Sequence, residues 1–262
     1  MKSKSAKSTN QRASAVQTLG IIPARYASTR FPAKPLADIA GKSMIQRVYE
    51  QAKKSSSLTK VIVATDHQLI FDKVMAFGGE VCMTSENHPS GTDRCYEVLS
   101  VQKEKYDYVV NIQGDEPFIA PEQIDLLASL LDGKTELATL IKAIENEDQL
   151  FDPNGVRVVT NKNNEAIYFT RSTIPYLRNI PQKDWLASYT FFKHIGMYAY
   201  RADVLQQITK LEISSLEKAE SLEQLRWIEN GFRIKVAKTL TETISIDTPG
   251  DLEKAIAYLK VN

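Results

Sequence analysis

The sequence predicts an α/β protein built on a doubly wound, mostly parallel sheet. Three observations carry that reading. Short apolar runs with strand character alternate with helix-like runs from residue 19 to about residue 150. The clearest of these runs, KVIVAT at residues 60–65, is apolar almost throughout, as a strand covered on both faces requires. Polar and charged residues gather where such runs end, at the rim where an open α/β sheet binds its ligands.

Composition narrows the classes. The chain has 262 residues and a net charge of +1, so there is no global charge argument for nucleic acid or an anionic membrane surface. No apolar run approaches a membrane span. Cys82 and Cys95 make no disulfide framework and suit a reducing compartment, and His67, His88 and His194 have no zinc spacing. Residues 1–18 are cationic, serine-rich and free of acids, and read as a disordered basic tail ahead of a single domain over residues 19–262.

The first element is the apolar run at residues 19–22, expected to stop at Pro23, which cannot donate to a ladder. Twelve residues follow with three cations, Arg25, Arg30 and Lys34, and no acid. Small residues lie between them, so side-chain charge and backbone N–H groups could both reach a polyphosphate. Ser43 with Gln46 forms a capping-box pattern before a helix striped by Met44, Ile45, Val48 and Ala52. Gly41-Lys42-Ser43 is not a Walker phosphate loop, because Leu36 stands where that motif needs glycine, and no GxGxxG is present.

The KVIVAT strand ends at Asp66; a helix follows and stops at Gly78-Gly79. A short strand at 81–84 leads into HPSGTDR, where Ser90, Gly91 and Thr92 make a turn that caps the next helix, about 93–101. A strand at 108–112 ends in Gln113-Gly114-Asp115-Glu116-Pro117, with Gly114 expected to admit a ligand close to the backbone. Pro121 opens a helix to about residue 131, and 136–144 is a further strand.

After residue 150 the pattern changes. Residues 156–160 and 165–170 flank Asn161-Lys162-Asn163-Asn164 as a hairpin, 171–193 reads as irregular, and 194–200 as a strand. Region 150–200 thus reads as a β-rich insertion serving substrate or a partner subunit. A helix over 217–230 ends at Gly231; strands are expected at 232–237 and 243–246. Thr248 then caps, and Pro249 starts, the last helix. Asp115 and Asp247, each placed after an apolar strand, form a candidate Mg²⁺ pair for a polyphosphate substrate.

Taken together, IIPARYASTRFPAKPL, VATDH, GGEVCMTSENHPSGTDR, VNIQGDEP, YFTRSTIPY, KHIGMYAYR, SLEQLR and IDTPGDLEKA resemble the 3-deoxy-manno-octulosonate cytidylyltransferase (CMP-Kdo synthetase) family, in order and over nearly all of residues 19–258. The resemblance implies a nucleotide-diphospho-sugar-transferase-like fold, a cytoplasmic homodimer, Mg²⁺, and the reaction CTP + Kdo → CMP-Kdo + pyrophosphate for lipopolysaccharide synthesis. It also implies residue roles. Arg25, Arg30 and Lys34 would neutralise the CTP phosphates. Ala24, Thr65 and Asp66 would lie near the nucleotide, and Ser90, Gly91 and Thr92 near cytosine and ribose. Gln113 would touch the substrates, and Asp115 with Asp247 would hold the metal. Arg171 would face the Kdo carboxylate, and His194, Tyr198, Glu223 and Gln224 would line the sugar pocket. The family usually has RLPGKPL where this chain has RFPAKPL, so Ala33 replaces a glycine. The competing readings are the same reaction on sialic acid or 8-amino-Kdo, and a nucleotide-binding protein without turnover.

Overall fold

The computed structural model describes residues 16–27 and 31–261. Its strands are β1 (Thr18–Ala24), β2 (Asp38–Ile39), β3 (Lys42–Ser43), β4 (Lys60–Thr65), β5 (Val81–Met83), β6 (Tyr108–Asn111), β7 (Leu137–Ala143), β8 (Arg157–Thr160), β9 (Ala166–Thr170), β10 (Phe192–Arg201) and β11 (Ile234–Lys238). The first four helices are α1 (Met44–Ala52), α2 (Gln68–Ala76), α3 (Gly91–Ser100) and α4 (Pro121–Ala128). The main sheet runs β11-β7-β10-β6-β1-β4-β5, with the β8–β9 hairpin attached through β10. The pairs β6–β1, β1–β4, β4–β5 and β11–β7 are parallel, whereas β10 lies antiparallel between β6 and β7.

The continuous apolar strands follow from this layering. Alternate residues of each strand feed two cores on opposite faces. Val61 and Val63 of β4, Ile22 and Ala24 of β1 and Val110 of β6 face the core shared with Ile45, Val48 and Ala52 of α1 and Ile124 and Leu127 of α4. Ile62 and Ala64, Leu19 and Ile21, and Val109 face the other, with Cys95 and Val98 of α3 and Leu225 and Trp227 of helix Gln224–Glu229. Each fully buried aliphatic side chain contributes about 1.5–3 kcal/mol.

Four local expectations are corrected. β1 runs through Pro23 to Ala24. Its pairing with β6 stops at Ile21↔Asn111, while its pairing with β4 continues to Ala24↔Thr65. Pro23 turns its carbonyl toward Gly114, beyond the end of β6, so its missing N–H removes no ladder bond. Ser43 does occupy the N-cap of α1, but its side chain makes no capping bond, and Gln46 Nε2 donates to Glu50 instead (3.0 Å). The expected helix 217–230 is two helices, Ser215–Glu220 and Gln224–Glu229, broken where Ser221 turns left-handed at φ 54°. Residues 243–246 form no strand and pair with none. Helix Ala202–Ile208 was not foreseen.

Candidate active site

The carboxyl ends of β1, β4 and β6 lie side by side, and the loops leaving them carry most of the charged candidates. After β1, Tyr26 stacks its ring on His67 (centroids 3.8 Å apart, 13° between planes). The Tyr26 N–H reaches Asp66 Oδ1 at 3.4 Å. The loop closes where the Ala33 N–H donates to the Tyr26 carbonyl at 3.1 Å. Ala33 is left-handed at φ 55°, the conformation glycine adopts without steric cost. It leads straight into a 3-10 turn, Lys34–Leu36, which aims Lys34 inward. Arg25 is exposed and donates to the His88 carbonyl at 3.0 Å. Arg30 lies outside the described residues, as do residues 1–15 of the basic tail.

Lys34 is the centre of the site. Its Nζ lies 2.8 Å from Asp115 Oδ2 and 3.1 Å from Asp247 Oδ1. Three segments far apart in sequence therefore meet on one ammonium. Asp115 gains a second tie, because its carbonyl accepts from the Ile246 N–H at 2.9 Å and so draws the residues before Asp247 alongside. Glu116, next in sequence, is half-buried and accepts from Thr243 Oγ1 at 2.7 Å; desolvation pushes its pKa up to about 7, against that hydrogen bond. Gly114 does not make room for a ligand as expected: a Cβ there would sit 2.6 Å from the Pro23 carbonyl, so the glycine is required by β1.

A second group forms around α3. Ser90 Oγ accepts from the N–H groups of Thr92 (3.1 Å) and Asp93 (3.3 Å) as N-cap. Glu223 reaches the same point from just before helix Gln224–Glu229: Ser90 Oγ is 3.0 Å from its Oε1, and Thr92 Oγ1 donates to its Oε2 at 3.0 Å. Burial pushes the Glu223 carboxyl up, while the two hydroxyls and the Arg226 guanidinium pull the other way. Gly91 packs beside Pro23 and Asn111, and Gln224 is buried.

A third group sits on β10, where the register shifts between Ile195 and Tyr198. This bulge frees carbonyls that side chains then satisfy. Gln113 Nε2 donates to the Gly196 carbonyl at 2.6 Å, and Thr139 Oγ1 lies 2.8 Å from the Met197 carbonyl. His194 Nε2 is 3.0 Å from the same Thr139 hydroxyl, and its ring lies 5.1 Å from that of Tyr198 and edge-on to Phe169. Desolvation pushes the His194 pKa down to about 3, so the ring is neutral. The Tyr198 hydroxyl is buried with no hydrogen-bond partner. Arg171 stands apart in its bonding, donating to the carbonyls of Glu220 (3.0 Å) and Asn154 (2.9 Å).

Sequence reasoning missed Arg94 and Glu116. Arg94 is fully buried and pairs with Asp66 Oδ2 at 2.7 Å, which fixes the carboxylate that meets the Tyr26 N–H. Its signal is the need of a strand-end aspartate for a cation; in the sequence alone Arg94 is simply part of a capped helix.

The donor set suits Mg²⁺. Among the described residues no cluster of three or more His, Cys, Asp or Glu stands ready to hold a metal. Asp115 and Asp247, brought together on Lys34, would instead supply the one or two carboxylates through which Mg²⁺ is held beside substrate phosphates.

Comparison with known proteins defines the class. The cytidylyltransferase family model matches residues 19–239. A solved structure of CMP:2-keto-3-deoxy-manno-octonic acid synthetase complexed with CTP superposes with a TM-score of 0.86 at 43% identity, over 94% of this chain and 99% of that one. At 13% identity, 4-diphosphocytidyl-2C-methyl-D-erythritol synthase from Anaerococcus prevotii shares the fold, with a TM-score of 0.60 over 94% of this chain and 99% of that one. Fold and family model together make this a nucleotidyltransferase of the cytidylyltransferase class. The 3-deoxy-manno-octulosonate cytidylyltransferase of Parabacteroides distasonis is 61% identical over 246 residues, covering 92% of this chain and 97% of that protein. The protein of the same name from Cytophaga hutchinsonii is 58% identical over 238 residues, covering 90% and 95%. The chain belongs to the 3-deoxy-manno-octulosonate cytidylyltransferase family.

Proposed function

We propose that this chain activates Kdo by the reaction CTP + 3-deoxy-D-manno-octulosonate → CMP-Kdo + pyrophosphate, supplying lipopolysaccharide synthesis. The observation that carries the reading is Lys34 Nζ held between Asp115 and Asp247 at the sheet rim, in a chain of this family. The anomeric hydroxyl of Kdo attacks the α-phosphorus in line. The hydroxyl gives up its proton to solvent as its oxygen bonds to Pα, the bond from Pα to the bridging oxygen breaks, and pyrophosphate leaves with that electron pair. Nothing in this requires a covalent enzyme intermediate, so the protein's work is positioning and charge.

Lys34 and Arg25 neutralise the triphosphate and the departing pyrophosphate, with Arg30 as the third cation of the loop. Asp115 and Asp247 would hold Mg²⁺, which when bound polarises phosphate oxygens and acidifies the attacking hydroxyl. Ala24, Thr65 and Asp66 border the nucleotide, with Ser90, Gly91 and Thr92 at cytosine and ribose. Gln113, Arg171, His194, Tyr198, Glu223 and Gln224 take the acidic sugar. The meeting of Ser90 and Thr92 with Glu223 supports adjoining nucleotide and sugar subsites. A neutral His194 and a protonated Tyr198 offer uncharged hydrogen bonds to sugar hydroxyls.

The active form is proposed to be a cytoplasmic homodimer. Exposed Tyr176 and Tyr189, clustered with Trp185 and Phe191, support a subunit contact in the 171–192 region. Among the described residues no helix is long and apolar enough to cross a membrane.

Pyrophosphate release is measured with CTP, Mg²⁺ and Kdo, beside UTP and beside sialic acid. Release with CTP and Kdo alone is expected. Release with another acidic sugar but not Kdo would keep the chemistry and overturn the acceptor. Nucleotide binding with no release on any acceptor would overturn the enzyme reading.

A further inference from the structure

Residues 240–247 bring Asp247 to Lys34 without any helix or strand of their own. At the start of this strap Leu240 is 95% exposed, so burial holds nothing there; at the far end Ile246 is fully buried. Between them polar side chains set the path. Gln123 Nε2 donates to the Thr241 carbonyl at 3.1 Å. Glu242 is paired with Lys193 and lies 3.5 Å from Lys142. Thr243 Oγ1 donates to Glu116 Oε2 at 2.7 Å. The dipeptide Asp115-Glu116 therefore grips the strap twice. The Asp115 carbonyl takes the Ile246 N–H, and the Glu116 carboxylate takes the Thr243 hydroxyl, while the Asp115 side chain shares Lys34 with Asp247.

We propose that Glu116, acting through Thr243, is a positioning residue that sets Asp247 in register with Asp115. The proposal rests on the reading of those two aspartates as a cation-binding pair. A segment outside any helix or strand opens locally at little free-energy cost unless side chains fix it. A misplacement of one ångström at a reacting centre is expensive. A hydrogen bond to a half-buried carboxyl group is directional and worth about 1 kcal/mol or more, which suits it to the task.

The test uses the full chain as wild type and as three variants, Asp115→Asn, Thr243→Val and Thr243→Ser. Mn²⁺ affinity is read by electron paramagnetic resonance in the presence of CTP, and hydrogen exchange of the 240–247 segment is read without ligand. Thr243→Val is expected to weaken Mn²⁺ binding about tenfold and to speed exchange in the strap. Thr243→Ser is expected to restore both, since it keeps the donor. If Asp115→Asn weakens Mn²⁺ binding while Thr243→Val leaves both readouts unchanged, the positioning role is overturned and the metal-site reading survives. If Asp115→Asn leaves Mn²⁺ binding intact, the metal-site reading itself fails and takes the proposal with it. If Thr243→Ser behaves as Thr243→Val does, packing rather than the hydrogen bond is responsible, and the proposal is overturned.

Discussion

Lys34 Nζ donates to Asp115 Oδ2 at 2.8 Å across 81 residues of sequence. The same ammonium takes Asp247, so one cation of the loop after β1 counterbalances both carboxylates of the candidate metal site. Lys34→Met removes that counter-charge and one cationic donor to the triphosphate. Losing one such donor costs about 10²–10³-fold in rate, and kcat/KM for CTP should fall by that amount. Lys34→Arg should recover only part of it, because a planar guanidinium does not reproduce a point charge between two carboxylates. Steady-state pyrophosphate release checks both.

Ala33 holds a left-handed backbone at φ 55° immediately before Lys34. A non-glycine residue there costs about 1–2 kcal/mol, offset in part by the about 0.5–1 kcal/mol of extra chain entropy glycine loses on folding. Ala33→Gly should therefore stabilise the protein by about 0.5–1 kcal/mol, and Ala33→Val should destabilise it. Thermal unfolding of the two variants reads the signs.

Ser43 looks like the start of a capping box, yet its hydroxyl is buried without a hydrogen-bond partner. A working cap is worth about 0.5–2 kcal/mol, which Ser43→Ala would lose. Here the substitution removes only an unsatisfied polar atom, so stability should stay level or rise by up to about 1 kcal/mol. Denaturant unfolding distinguishes the outcomes, and a loss above 1 kcal/mol would mean that the hydroxyl is bonded after all.

His194 has its pKa pushed down to about 3 by desolvation, against about 6.5 in an unfolded chain. Between those values the unfolded chain binds the proton and the folded protein does not. Its contribution is thus fully present above pH 6.5 and is lost as pH falls toward 3. The His194 ring should show no NMR titration midpoint above pH 5, and His194→Gln should flatten the acid-side fall in stability over that window. A midpoint near 6.5 would show a solvated imidazole.

The frame was legible because each strand of the main sheet announces itself locally, whereas the two-residue strands β2 and β3 do not. The KVIVAT run must bury both faces, and the sheet supplies two cores for it. What the sequence hid is relational. Pro23 reads as a strand end, but it costs nothing where β6 has already stopped. The helix break at Ser221 depends on a left-handed residue without glycine to mark it. Residues 243–246 have strand-like composition, but they spend it on contacts with Asp115 and Glu116 instead of a ladder. The pairing of Asp66 with Arg94 and of Ser90 and Thr92 with Glu223 lies in tertiary contacts that no spacing rule encodes.

The most direct measurement of the central claim compares turnover of Asp115→Asn with wild type, with CTP binding and thermal stability followed in parallel. The carboxylate is half-buried and its amide is nearly isosteric, so the fold should persist. A loss of about 10³-fold or more in pyrophosphate release is expected while the variant still folds and binds CTP. Near-normal turnover in Asp115→Asn would contradict the claim.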